Sequence, residues 1–212
     1  LDVIVSLYDR RLADVAAPTP EQLALRRRLR ATRTRSRSRM AEALMDIEIA
    51  GVRRDLRRVV ARGAEGVFTV MARLRDARDL EGAALLAGFE EIGDRYDPVA
   101  LHALRRAARR LRYAAEVSDA LRGEDSGAPA LLKSLQDAIG SLHDNHVLVA
   151  WLEHQARAVP GRAPSALPEA AHGEQAFFEE AGRRLHAELI ERRPAEVLAR
   201  ALEAMGRARS AA

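Results

Sequence analysis

Six side chains able to hold an oxyanion crowd into the thirteen residues from Leu101 to Tyr113: His102, Arg105, Arg106, Arg109, Arg110 and Arg112. On a helix turning about 100° per residue, His102, Arg105, Arg106, Arg109, Arg112 and Tyr113 fall within an arc of roughly 120°, with Arg110 just outside it. Leu104, Ala108, Leu111 and Ala115 take the opposite side. One face can bury while the other presents guanidinium forks and an imidazole. That set suits charge-assisted hydrogen bonds to an anion.

A second segment, residues 131–144, divides in the same way. Leu131, Leu132, Leu135, Ile139 and Leu142 form an apolar stripe. Lys133, Gln136, Gly140, His143 and Asp144 share the other side within about 100°. Gly140 costs a helix interior about 1 kcal/mol relative to alanine, which predicts close approach to the neighbouring basic helix. Taken alone, this polar face reads as solvated surface; set opposite the arginine row, it becomes a second wall. A third segment, residues 20–39, repeats Arg26, Arg30, Arg33 and Arg37 at intervals of four, three and four, placing them along one side of a helix. Arg28, Arg35 and Arg39 would make a second row. The polar run from Thr32 to Arg39 also suits a disordered arginine-serine tail. A long helix lining the same basic space is favoured, because Leu23, Leu25 and Leu29 precede the run and Met40, Leu44, Met45 and Ile47 follow it.

Charge is unevenly spread along the 212 residues. The net value is +4, yet residues 20–39 carry eight arginines against Glu21, and residues 98–113 carry five against no acid. These stretches therefore hold +12 and the rest of the chain −8. Lys133 is the only lysine. Composition bias accounts for arginine over lysine, but not for the clustering. The chain has no cysteine, which excludes disulfides and thiolate chemistry and fits a reducing cytoplasm. No apolar run approaches the roughly 20 residues of a membrane span, so no membrane partner is expected. His143 and His146 have a spacing two metal ligands could use, but no acidic third ligand accompanies them. The sequence lacks a glycine-rich phosphate loop, a nucleophile elbow and a magnesium-type acidic cluster. Binding without catalysis, cofactor or metal is the expectation.

The elements that must position these residues are helical throughout. Apolar periodicity predicts helices over about 2–16, 20–48, 50–62, 67–93, 98–122, 129–143, 145–158, 169–192 and 195–209. Asp97-Pro98 reads as an N-cap with proline at the first helical position, Gly123 as a stop and Ala128-Pro129 as a restart. Pro160 to Gly173 reads as a mobile loop. Leu1 to Asp9 also repeats the apolar pattern of Asn145 to Glu153 at an offset of 144. The later copy follows a basic helix that the first lacks, which predicts that such a helix precedes Leu1.

His102-Ala103-Leu104-Arg105, Arg109-Arg110-Leu111-Arg112-Tyr113 and Leu135-Gln136-Asp137-Ala138-Ile139-Gly140-Ser141-Leu142-His143-Asp144 together resemble the signature of the conserved histidine α-helical domain, CHAD. The resemblance implies an all-α fold of two four-helix-bundle-like repeats around a basic central cavity, with residues 1–93 an N-terminally truncated first repeat and 94–212 the second. It implies binding of inorganic polyphosphate. Phosphate contacts would come from His102, Arg105, Arg109 and Arg112, and Arg106, Arg110, Gln136 and His143 would line or support the site. Lys133 and the row Arg26, Arg30, Arg33 and Arg37 would add further positive wall. Position 109 is arginine where the family commonly has lysine, which keeps charge and changes geometry. A polyphosphate-metabolising or fused triphosphatase-type partner and residence at polyphosphate granules in the cytoplasm are further implications. RNA or DNA backbone binding is the first alternative, weakened because Tyr113 is the only aromatic in the two arginine clusters able to stack on a base. A structural helical adaptor is the second.

Overall fold

A computed structural model describes residues 1–62, 66–93, 96–157 and 166–207. The described residues form eight helices and no strand: α1 (Asp2–Ala13), α2 (Pro20–Met45), α3 (Ile49–Arg62), α4 (Val67–Ile92), α5 (Pro98–Arg122), α6 (Ala128–Ala156), α7 (Ala166–Glu191) and α8 (Pro194–Arg207). The fold is all-α. No helix among the described residues is long and apolar enough to cross a membrane.

Two element boundaries differ from those expected. The helices placed at 129–143 and 145–158 are one, α6. Asn145 does not break it, because its amide donates to the Phe178 carbonyl at 2.8 Å and so does not compete for its own backbone. The loop placed at 160–173 ends earlier, since α7 begins at Ala166; residues 160–165 lie outside the described residues. Met40, Leu44, Met45 and Ile47, which follow the arginine run, are all exposed. The long helix they argued for is nonetheless present.

The chain divides into two compact units. The first comprises Leu1–Ala64 and Asp144–Glu180, the second Glu65–His143 and Ala181–Ala212. This division differs from a linear split at residue 93, because α6 and α7 each contribute to both units.

In the first unit, Ile4, Val5, Tyr8 and Leu12 on α1 pack with Leu25 and Leu29 on α2, Leu148 and Leu152 on α6, and Leu167, Ala171 and Phe178 on α7. Ile4 and Tyr8 correspond to Leu148 and Leu152 at the offset of 144, so both copies of the short repeat supply this core. Thr19 starts α2 with a capping box: its hydroxyl accepts from the Gln22 amide at 3.2 Å while Gln22 Oε1 accepts from the Thr19 amide at 2.9 Å. Glu174 is buried, a costly position for a charge unless it is paired. It accepts from Arg11 Nε at 3.3 Å and from Gln22 Nε2 at 2.5 Å, which ties α7 to α1 and α2.

In the second unit, α5 buries Leu101, Leu104, Ala107, Ala108, Leu111, Ala114, Ala115, Ser118 and Asp119. The spacing of three and four is that of one helix face. Against it pack Leu85, Phe89 and Ile92 of α4, Leu132, Leu135, Ile139 and Leu142 of α6, Leu189 of α7, and Leu198, Ala201 and Met205 of α8. Asp97 caps α5, accepting from the amides of Val99 at 2.8 Å and Ala100 at 3.2 Å. Gly123 ends it with φ +67°, the left-handed conformation glycine adopts without strain. Both signals behave as the sequence predicts. The close helix approach lies elsewhere than expected: a Cβ on Gly88 would stand 2.3 Å from Leu104 Cδ2, whereas one on Gly140 would meet only Arg105 Nε at 3.8 Å. Tight packing therefore belongs to α4 on α5, and Gly140 is not required by it.

Candidate anion-binding site

Burying one face of α5 in the second unit turns the other to solvent. His102, Arg106, Arg109, Arg110 and Tyr113 are exposed, and Arg105 and Arg112 are half-buried. The face is not uniformly available, because neighbouring acids neutralise part of it.

Arg110 is held in two-pronged fashion by Glu81 of α4, with Nε 2.5 Å from Oε1 and Nη2 2.8 Å from Oε2. The hydrogen bonds that Arg110 donates to Glu81 raise its pKa above the ordinary value. Arg112 donates from Nε to Gln136 Oε1 at 2.9 Å and from Nη1 to Glu116, and its guanidinium lies 4.6 Å from the Tyr113 ring centroid. Gln136 thus orients an arginine across the α5–α6 boundary. Lys133 pairs with Asp137 one turn along α6 at 2.5 Å. These three cations are compensated.

Arg105, Arg106 and Arg109 are different: none makes an ion pair or hydrogen bond among the described residues. Arg105 Nε is shut off from solvent and has no hydrogen-bond partner. One turn toward the N-terminus, His102 Nδ1 lies 3.4 Å from His143 Nδ1, with ring centroids 4.8 Å apart and planes tilted by 39°. The fold therefore brings His102, Arg105 and His143 together, with Arg106 and Arg109 continuing along the same helix. Uncompensated cations at this density repel one another and favour an anion. No group of three His, Asp or Glu side chains among the described residues is placed to hold a metal ion.

The arginine row of α2 lies in the first unit, and there the structure supplies partners that sequence reasoning missed. Asp9 of α1 accepts from Arg26 Nε at 2.6 Å and Arg30 Nη2 at 2.8 Å. Asp2 accepts from Arg37 Nη2 at 2.8 Å and lies 3.7 Å from Arg33 Nη1. The hydrogen bond from Arg37 holds the Asp2 carboxyl below the usual carboxylate range. Burial works to raise Asp9, but the hydrogen bonds from Arg30 and Arg26 outweigh it and the net shift is downward. The available signal was a matched period: Asp2 and Asp9 are seven apart, as are Arg26 and Arg33, and Arg30 and Arg37. Two antiparallel helices bring such repeats into register.

An all-α chain with a row of uncompensated guanidinium groups and an imidazole pair on one helix is the class that fold and site define together. A family profile for the CHAD domain matches residues 1–153, and the chain belongs to the CHAD family. No curated protein and no solved structure matches the chain.

Proposed function

We propose that this protein binds inorganic polyphosphate without catalysis, through the α5 face centred on Arg105, Arg106 and Arg109 with His102 and His143 beside it. The observation that carries the reading is the selective lack of compensation. Arg110, Arg112 and Lys133 have acidic partners, whereas Arg105, Arg106 and Arg109 have none among the described residues. Membership of the CHAD family, which is linked to polyphosphate-related proteins, supports the choice of anion. A linear chain of phosphates, each with oxyanions to offer, suits side chains repeated along a helix at three- and four-residue intervals. Arg110 and Arg112 serve this site as a frame, with Gln136 fixing the direction of Arg112. Recruitment of a polyphosphate-metabolising or triphosphatase-type protein, at polyphosphate granules in the cytoplasm, is the role such a module would fill.

The test is a titration of labelled long-chain polyphosphate against single-stranded RNA of equal phosphate concentration, each over a range of salt. Polyphosphate is expected to bind more tightly at every salt concentration, and preference for RNA refutes the proposal. Arg105→Glu with Arg109→Glu should remove binding at the α5 face and with it most of the polyphosphate affinity, while helicity by circular dichroism is retained.

A further inference from the structure

The first unit carries a second strip of arginines, and its counter-charges are built into the chain. Arg26, Arg30, Arg33 and Arg37 on α2 face two carboxylates of α1, Asp9 and Asp2, each shared between two guanidinium groups. Four positive charges meet two negative ones, so the strip is only half neutralised. The neutralisation is also uneven. Arg26 and Arg30 both reach Asp9 at hydrogen-bond distance, whereas Arg33 stands 3.7 Å from Asp2, and its buried Nε has no partner. Asp2 and Arg37 are both well exposed, at 58% and 60% of their side-chain surface, so their contact exchanges readily with solvent or with a competing anion. The two carboxylates lie seven residues apart on α1, about 10 Å along the axis at the helical rise. They present separated oxyanions to a cationic row, as a linear polyanion would.

We propose that the α2 strip is a second polyanion-binding surface, and that Asp2 and Asp9 are resident competing anions which attenuate its affinity. The inference rests on the polyphosphate reading of the α5 face, and it adds a binding surface and a built-in brake. An incoming chain would engage Arg33 and Arg37 first, where compensation is weakest, and would displace Asp2 before Asp9.

The experiment compares polyphosphate binding by the wild-type chain, Asp2→Asn, the double variant Asp2→Asn/Asp9→Asn, and a control, Glu90→Gln/Glu91→Gln, which removes two exposed acids of α4. Freeing the equivalent of two guanidinium groups should tighten binding by the double variant about tenfold at about 0.1 M salt, with a log–log salt slope steeper by about 1.4. The control should change neither by a comparable amount. Adding Arg33→Gln/Arg37→Gln should erase the gain. Should the double variant lose helicity, Asp2→Asn alone carries the test, because it removes only the exposed contact. Binding by the wild type with no gain beyond the control overturns this inference alone and leaves Asp2 and Asp9 as structural ion-pair partners. Absence of polyphosphate binding in every protein overturns the α5 reading and this inference together.

Discussion

Replacing Arg105 with methionine should make the unliganded protein more stable and its ligand binding weaker, and the two signs together test the site. Arg105 lies one helical turn from Arg109, and its Nε is enclosed without a hydrogen-bond partner. An enclosed donor left unsatisfied costs about 1–3 kcal/mol. A like-charge pair at i and i+4 costs about 0.3 kcal/mol more. Methionine matches the length and helix propensity of arginine and removes both terms at the expense of little packing. Net stabilisation of about 1 kcal/mol is expected, which for a chain of this size raises Tm by about 2–4 °C. The loss on the binding side is one set of charged contacts, about 1.5–3 kcal/mol, or about 10- to 100-fold in Kd. Thermal unfolding followed by circular dichroism, without and with polyphosphate, reads both effects. Arg112→Met supplies the contrast: it strips Gln136 and Glu116 of their donor, so Tm should fall. A destabilised Arg105→Met, moving in the same direction as Arg112→Met, would refute the argument that Arg105 is held uncompensated for a ligand.

Two further outcomes follow from the packing. Gly88→Ala should destabilise by about 1–3 kcal/mol, because the new methyl would overlap buried Leu104. Gly140→Ala, which meets only an ordinary contact, should stabilise by up to about 1 kcal/mol; denaturant midpoints of the two variants compare them directly. Tyr8 is fully buried, and that burial, aided by Glu174 and opposed by Arg11, raises its pKa. Its neutral form is therefore favoured by folding, and the resulting stability is complete below the ordinary phenol value near 10 and lost as pH climbs above it. Tyr8→Phe should flatten that alkaline decline in a pH series of Tm measurements.

What was legible in the sequence was local. The two faces of α5 follow from the spacing of Leu101, Leu104, Ala108 and Leu111, and its ends from Asp97, Pro98 and Gly123, all within reach of neighbours a few residues away. The features that escaped depend on residues distant in the chain. Asp9 lies 17 and 21 positions from the arginines it holds, and Glu81 lies 29 from Arg110, so no neighbouring residue marks these cations as compensated, unlike Arg112 and Lys133, whose acids stand four residues on. Gly140 looked like a packing glycine, and Gly88 did not, because the deciding atom is the Leu104 side chain on another helix. The break expected between 143 and 145 is absent, and the partner that occupies the Asn145 amide, the Phe178 carbonyl, is 33 residues away. The apolar residues after Arg39 argue for a helix by type, and type alone does not say whether anything packs on them.

The passage of α6 and α7 from one unit into the other means that neither unit can be excised as an uninterrupted stretch of polypeptide. A fragment starting at residue 94 would keep Leu148, Leu152 and Phe178 but forfeit Ile4, Tyr8, Leu25 and Leu29, stranding half of an oily interior in water. A single nick within α6 would likewise cut a strut shared by both. Deletion series that treat the chain as two beads on a string will yield insoluble pieces, whereas dissection by point substitution keeps each interior whole.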